Sequence, residues 1–88
     1  MILHHQRFLA IRKILNQYDP VGIIYGDINS DEYDIEVRAI LELITDQENH
    51  ESLAQKLHQV LIRYFDENIA GDYSIYKRIA IDILKLNN

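Results

Sequence analysis

The sequence predicts an all-α fold, a small antiparallel bundle of about four helices with a long loop between helices 1 and 2. Three observations carry that expectation. Apolar residues recur at three- and four-residue spacing in four separate stretches, the period of a helix with one buried face. The single proline and the three glycines fall between those stretches rather than inside them, as chain breakers should. Apart from the segment after Pro20, the connections are short, which favours antiparallel neighbours.

In the first helix Phe8, Ile11, Leu15 and Tyr18 form the stripe and Ile14 widens it. It must stop near Tyr18. Pro20 lacks an amide proton and disfavours a helical Asp19, and Gly22 follows closely. The next segment, "VGIIYGDIN", is apolar without helical period. It is either a short extended piece or a loop that lays Ile23, Ile24 and Tyr25 onto the core. The second helix shows Tyr33, Val37, Ile40, Leu41 and Ile44 on one face, and the third shows Leu53, Leu57, Val60, Leu61 and Tyr64 before ending in Phe65. Between them "TDQENHE" is polar and supplies turn and cap residues. The fourth is expected to start at Ser74 as N-cap, with Tyr76, Ile79, Ala80, Ile83 and Leu84 on its face and Ile75, Ile81 and Leu86 off it. A helix that is apolar nearly all round is buried on more than one side. That predicts a partner surface, with a homodimer through the last helix as one form of it.

Eighty-eight residues fit one helical domain spanning 1–88, which buries only ~60–65% of the surface its unfolded chain exposes. With 48% apolar and 26% charged residues the mixture is that of a folded protein. There is no cysteine, hence no disulfide framework, thiol nucleophile or thiolate zinc site. The N-terminal apolar run is interrupted by His4, His5, Gln6 and Arg7, unlike a signal peptide. No stretch approaches the ~18 apolar residues of a membrane span. A soluble, cytoplasmic protein without a membrane partner is expected.

The net charge of −5 is unevenly spread. Residues 1–18 carry Arg7, Arg12 and Lys13 and no acid, whereas residues 27–51 carry nine carboxylates against Arg38. An acidic middle repels phosphate, so nucleic acid is not an expected partner.

The segment "GDINSDEYDIE" (26–36) opens Asp27-x-Asn29-x-Asp31, as an EF-hand loop does. That loop also needs glycine at position 6 and a bidentate carboxylate at position 12. Here those positions hold Glu32 and Arg38, so the match fails at both. A helix beginning near Tyr33 explains part of the acidity. Asn29 with Glu32 has capping-box spacing, Asp31 and Asp34 are alternative caps, and carboxylates suit the positive end of the helix dipole. The acids outnumber what a cap needs, and the surplus points to a surface for a partner. Gly26-Asp27 with alternating acids faintly resembles the magnesium-holding strand of nucleotidyltransferases, but the acids run into a helical period and no Gly-Ser precedes them.

Other chemistry is thinner. No two histidines have the i, i+4 spacing of a helical metal pair. His50 reads as a cap or solvent group and His58 as an ordinary exposed residue. Ser30, Ser52 and Ser74 read as turn or cap residues, none in a nucleophile elbow, and the isolated glycines make no phosphate loop. Tyr18, Tyr33, Tyr64 and Tyr76 fall on apolar faces as core residues with the hydroxyl at the rim. Tyr25 sits beside the acids and is either a recognition aromatic or simple packing.

"ILNQYDPVGI", then "DEYDIEVRAIL", then "LAQKLHQVL" together resemble a family of short bacterial proteins of unknown function associated with the Bacillus protein YugE. The resemblance spans roughly residues 11–65 and rests on Asp19-Pro20, Gly22, Glu32-Tyr33, Glu36 and the apolar spacing behind them. It implies a compact all-helical fold and brings no catalytic residues. Similar small acidic proteins also occur as immunity partners of secreted bacterial toxins.

The expected function is therefore non-enzymatic: a helical interaction module with an acidic surface formed by Asp27, Asp31, Glu32 and Asp34 and anchored by Tyr25. No cofactor or metal is assigned. One alternative is an immunity or antitoxin-type inhibitor of a basic toxin. Another is a weak divalent-metal-binding protein using the acids from Asp27 to Asp34.

Overall fold

The computed structural model describes residues 4–87, and every regular element among them is helical. They are α1 (His4–Tyr18), α2 (Asp34–Leu43), α3 (His50–Phe65), α4 (Glu67–Ala70) and α5 (Tyr73–Leu84), followed by a 3₁₀ turn (Lys85–Asn87). α3 packs against α2, α4 and α5, while α1 packs against α2 and α5. The shared core takes Ile11 and Leu15 from α1, Val37 and Ile40 from α2, and Leu53, Leu57 and Leu61 from α3. Tyr76, Ile79 and Ile83 complete it from α5. These are the positions the apolar periodicity marks, because burial of one stripe per helix is what holds short helices together.

Several local expectations change. Tyr64 lies on the α3 stripe but is 47% exposed. Its place is taken by Phe65, whose ring meets Tyr33 edge-on with centroids 6.1 Å apart. The fifth helix is the short α4, bracketed by Asp66 and Gly71, both at positive φ. The Asp66 carboxylate accepts the Ile69 amide at 2.9 Å. Buried Ala70 offers its carbonyl to the Tyr76 hydroxyl at 2.6 Å.

The caps also move. α5 starts one residue before Ser74, with Asp72 as N-cap. The Ser74 hydroxyl donates to the Asp72 carboxylate at 2.9 Å. α3 is capped by Asn49 rather than His50, in a capping box with Ser52. His58 is half-buried and not an ordinary surface group. Its Nε2 lies 3.0 Å from the Gly71 carbonyl, so that nitrogen must carry the proton. Its ring packs at a tilt against Tyr76 and Tyr73, with centroids 4.8 and 5.6 Å away. α5 packs against α1 and α3. Ile75, Leu84 and Leu86 pack on the core, and Ile81 remains exposed.

Candidate functional site

The segment joining α1 to α2, residues 19–33, is built around Asp19. α1 ends when the Asp19 amide donates to Leu15 O at 2.7 Å and Asp19 turns to a φ of +46°, a conformation Asp tolerates better than most residues. Its carboxylate then faces forward along the chain. It accepts the Ile23 amide at 2.8 Å, the Ile24 amide at 3.2 Å and the Tyr33 hydroxyl at 2.8 Å. That hydroxyl in turn accepts the Val21 amide at 2.9 Å. Partial burial opposes ionisation of Asp19, but the bonds from Tyr33 and the amides outweigh it, so its pKa lies below the ordinary carboxylate value. For Tyr33, burial is the leading cause of a raised pKa, which keeps the phenol neutral.

A second tie comes from Asn16, buried on α1. Its Nδ2 donates to the carbonyls of Ile28 (2.9 Å) and Ser30 (2.8 Å). The segment is thus fixed from within at both halves, and Ile24 tucks into the core. Ile23 is half-buried against that core. Tyr25 goes the opposite way. At a φ of +53° it is 93% exposed, and Gly26 follows at +87°. Of the two sequence readings of this tyrosine, packing is excluded.

The four acids differ in exposure and in what they bond. Asp27, Asp31 and Glu32 are exposed. The Asp27 carboxylate accepts the Asn29 amide at 3.0 Å, an Asx-type turn. Asp34 is half-buried. Its carboxylate binds the Arg12 guanidinium through both oxygens, with Nε at 2.8 Å. None of these acids caps α2, whose N-cap is Tyr33 with no side-chain bond. The Asp34 amide bonds instead to Asp31 O at 3.0 Å. Among the described residues no three His, Asp or Glu side chains converge as metal ligands would.

Beside this loop, α1 and α2 enclose a half-open groove of about 640 Å³ lined by His5, Phe8, Leu9, Arg12, Asp34, Arg38, Leu41 and Glu42. The guanidiniums of Arg12 and Arg38 lie over the Phe8 ring, 5.4 and 5.3 Å from its centroid. Sequence reasoning missed this groove. Its one signal was that α1 carries Arg7, Arg12 and Lys13 without any acid.

Fold and site together define a small all-helical protein with an internally braced loop on which Tyr25 is exposed. The chain belongs to the family described as Domain of unknown function (DUF1871), whose model matches residues 10–88. Neither the curated proteins nor the solved structures compared with the chain contain a match. No helix among the described residues is long and apolar enough to cross a membrane.

Proposed function

We propose that this protein is a non-enzymatic interaction module and that the Tyr25 turn is its contact surface. The observation that carries this reading is a tyrosine almost wholly in solvent, on a loop whose backbone is already fixed. An aromatic on a backbone already fixed has only its side-chain freedom to lose on binding, which suits an interface anchor. Asp27, Asp31 and Glu32 are exposed on the same loop and would steer a basic partner. Asp34 acts at one remove, by holding Arg12. The groups that would be candidates for catalysis have structural tasks: Ser52 closes a capping box, Ser74 bonds Asp72, and His58 bonds the Gly71 carbonyl.

An inhibitor of a basic toxin is the narrower form of this reading, supported by the same acidic rim. It would work in the cytoplasm, and kinship with YugE would extend the role to that protein. The loop is preferred over the last helix as the contact surface, because α5 packs against α1 and α3 and leaves only Ile81 among its large apolar side chains exposed. The test is affinity capture from lysate of the source organism, comparing the natural chain with a variant carrying Tyr25→Ala, Asp27→Asn, Asp31→Asn and Glu32→Gln. A stoichiometric partner held by the natural chain, released by salt and lost with the variant, is the expected result. Equal capture by both proteins would refute the loop as the contact surface.

A further inference from the structure

The groove between α1 and α2 sets two arginines and two carboxylates beside an apolar wall of Phe8, Leu9 and Leu41. Its four charges are not equivalent. Arg12 and Asp34 satisfy one another through both carboxylate oxygens, with Nε at 2.8 Å. Arg38 and Glu42, four positions apart on α2, form no ion pair with each other or with any other described residue. Two features of the chain keep them apart. Arginine before glutamate is the weaker order for such a pair on a helix. The Arg38 guanidinium is also drawn across to α1, where it lies 5.3 Å from the Phe8 ring centroid. The groove therefore holds one cation and one carboxylate without ionic partners, one helical turn apart, along an apolar wall.

We propose that this groove binds a free α-amino acid with a large apolar side chain. The ligand's carboxylate meets the Arg38 guanidinium, its ammonium meets Glu42, and its side chain lies along the apolar wall. The pattern of charge selects this class. A simple anion answers Arg38 and is opposed by Glu42, and a simple cation meets the reverse. A zwitterion answers both. In an α-amino acid the two charged groups share one carbon, within reach of side chains whose Cβ atoms stand ~5–6 Å apart on a helix. Contact with Phe8 already restricts the Arg38 guanidinium, so its planar fork has less freedom to lose on meeting a carboxylate. The volume of about 640 Å³ lies within the ~300–1,000 Å³ of small-molecule sites and admits the largest side chains. Arg38 and Glu42 are both exposed, so water competes for each charge and binding belongs near a Kd of about 1 mM. Tyr25 does not line the groove, and the site does not depend on the turn as a contact surface.

The test is titration of the full chain with L-phenylalanine at low salt near pH 7, followed by amide shifts in ¹H–¹⁵N correlation spectra. Saturating shifts confined to the facing sides of α1 and α2 are the expected result. Two capped probes then separate the charges. N-acetyl-L-phenylalanine lacks the ammonium and L-phenylalaninamide lacks the carboxylate, and each should bind about fivefold more weakly or worse. The same probes distinguish a free amino acid from a peptide end, since a carboxyl terminus resembles the first and an amino terminus the second. The decisive arm is a crossed pair of variants. Arg38→Gln should abolish the preference for L-phenylalanine over its amide and keep the preference over the acetyl form, and Glu42→Gln should do the reverse. General disturbance of the groove would weaken all three probes alike and give no such crossing. No saturable shift up to about 20 mM ligand, shifts scattered outside the groove, equal binding of the three probes, or variants without the crossed pattern would each overturn the proposal.

Discussion

Tyr25 occupies backbone space that costs an L-residue about 1–2 kcal/mol, at a φ of +53° with its side chain in solvent. The Asp27 amide, donating to Ile24 O at 3.2 Å, closes the turn across it, and buried Ile24 holds the turn in place. Replacing it by glycine removes the strain, offset by the ~0.5–1 kcal/mol of freedom that glycine loses on folding. Tyr25→Gly should therefore melt no lower than Tyr25→Ala, while both lose the partner. A Gly variant clearly less stable than the Ala variant in urea would show that the ring supports the fold. Glu36 is the converse case, a charged group that the interior tolerates badly. It is 4% exposed, and one carboxylate oxygen has no hydrogen-bond partner. Burial pushes its pKa above 4.5, its own amide acts against this, and Asp34 adds to the rise. A folded pKa above the unfolded one means stability that is fully present below 4.5 and lost as pH rises through the folded value. At neutral pH the ionised form is the destabilised one. Glu36→Gln should then raise stability near pH 7 by ~1 kcal/mol or more, and the gain should vanish toward pH 4. An equal gain at both pH values would remove ionisation as its cause.

At the scale of elements, the turn from α2 to α3 is the most heavily braced. Glu48 accepts from the Thr45 amide at 2.9 Å and from the Ser52 hydroxyl at 2.7 Å, and it pairs with Lys56. Lys56 also donates to Leu43 O at 3.0 Å, at the exposed carbonyl end of α2. Asn49 then opens α3 by accepting the Ser52 amide at 2.8 Å. Asn49→Ala should cost ~1 kcal/mol of stability in urea unfolding, and no measurable loss would show that the Glu48 bonds suffice. Much of this was legible from sequence, because "TDQENHE" is rich in residues that bond their own backbone. The faces of α2 and α3 were legible for the same local reason, since each repeats its apolar spacing over several turns. What escaped was either too short or too distant. α4 spans four residues and carries no period, although Asp66 and Gly71 bracket it as cap residues do. Of the expected caps of α2, Asp34 has its carboxylate taken by Arg12, 22 positions away. The order of residues 19–33 comes from Asp19 meeting Tyr33 across fourteen positions. No local pattern announces such a contact.

For the whole molecule these groups combine into one stability curve against pH. Two carboxylates set most of the acid limb. Burial alone would raise the pKa of Glu48, but bonds from Lys56, Ser52 and Thr45 lower it from 4.5 to about 2. Asp19 is likewise held below 3.8, burial again being outweighed, there by Tyr33 and the loop amides. Depressed pKa values give stability that is present above the unfolded values and lost as pH falls through the folded ones. The loss should therefore run from about pH 4.5 down to about 2. Glu36 acts in the opposite sense over the upper part of that window and blunts the descent. The alkaline limb belongs to the buried phenols. Burial lifts Tyr76 from 10 to about 12 and raises Tyr33 as well. These contributions hold below pH 10 and fade as pH rises through the folded values. A chain of 88 residues has a thin reserve against either loss, so urea midpoints taken stepwise from pH 2 to 11 should trace a plateau with two shoulders. Glu48→Gln should lower the plateau and flatten the acid shoulder, since a neutral amide cannot gain from pH. If the shoulder keeps its full height in that variant, the acid limb belongs to other carboxylates and the Glu48–Lys56 brace carries no linkage to folding.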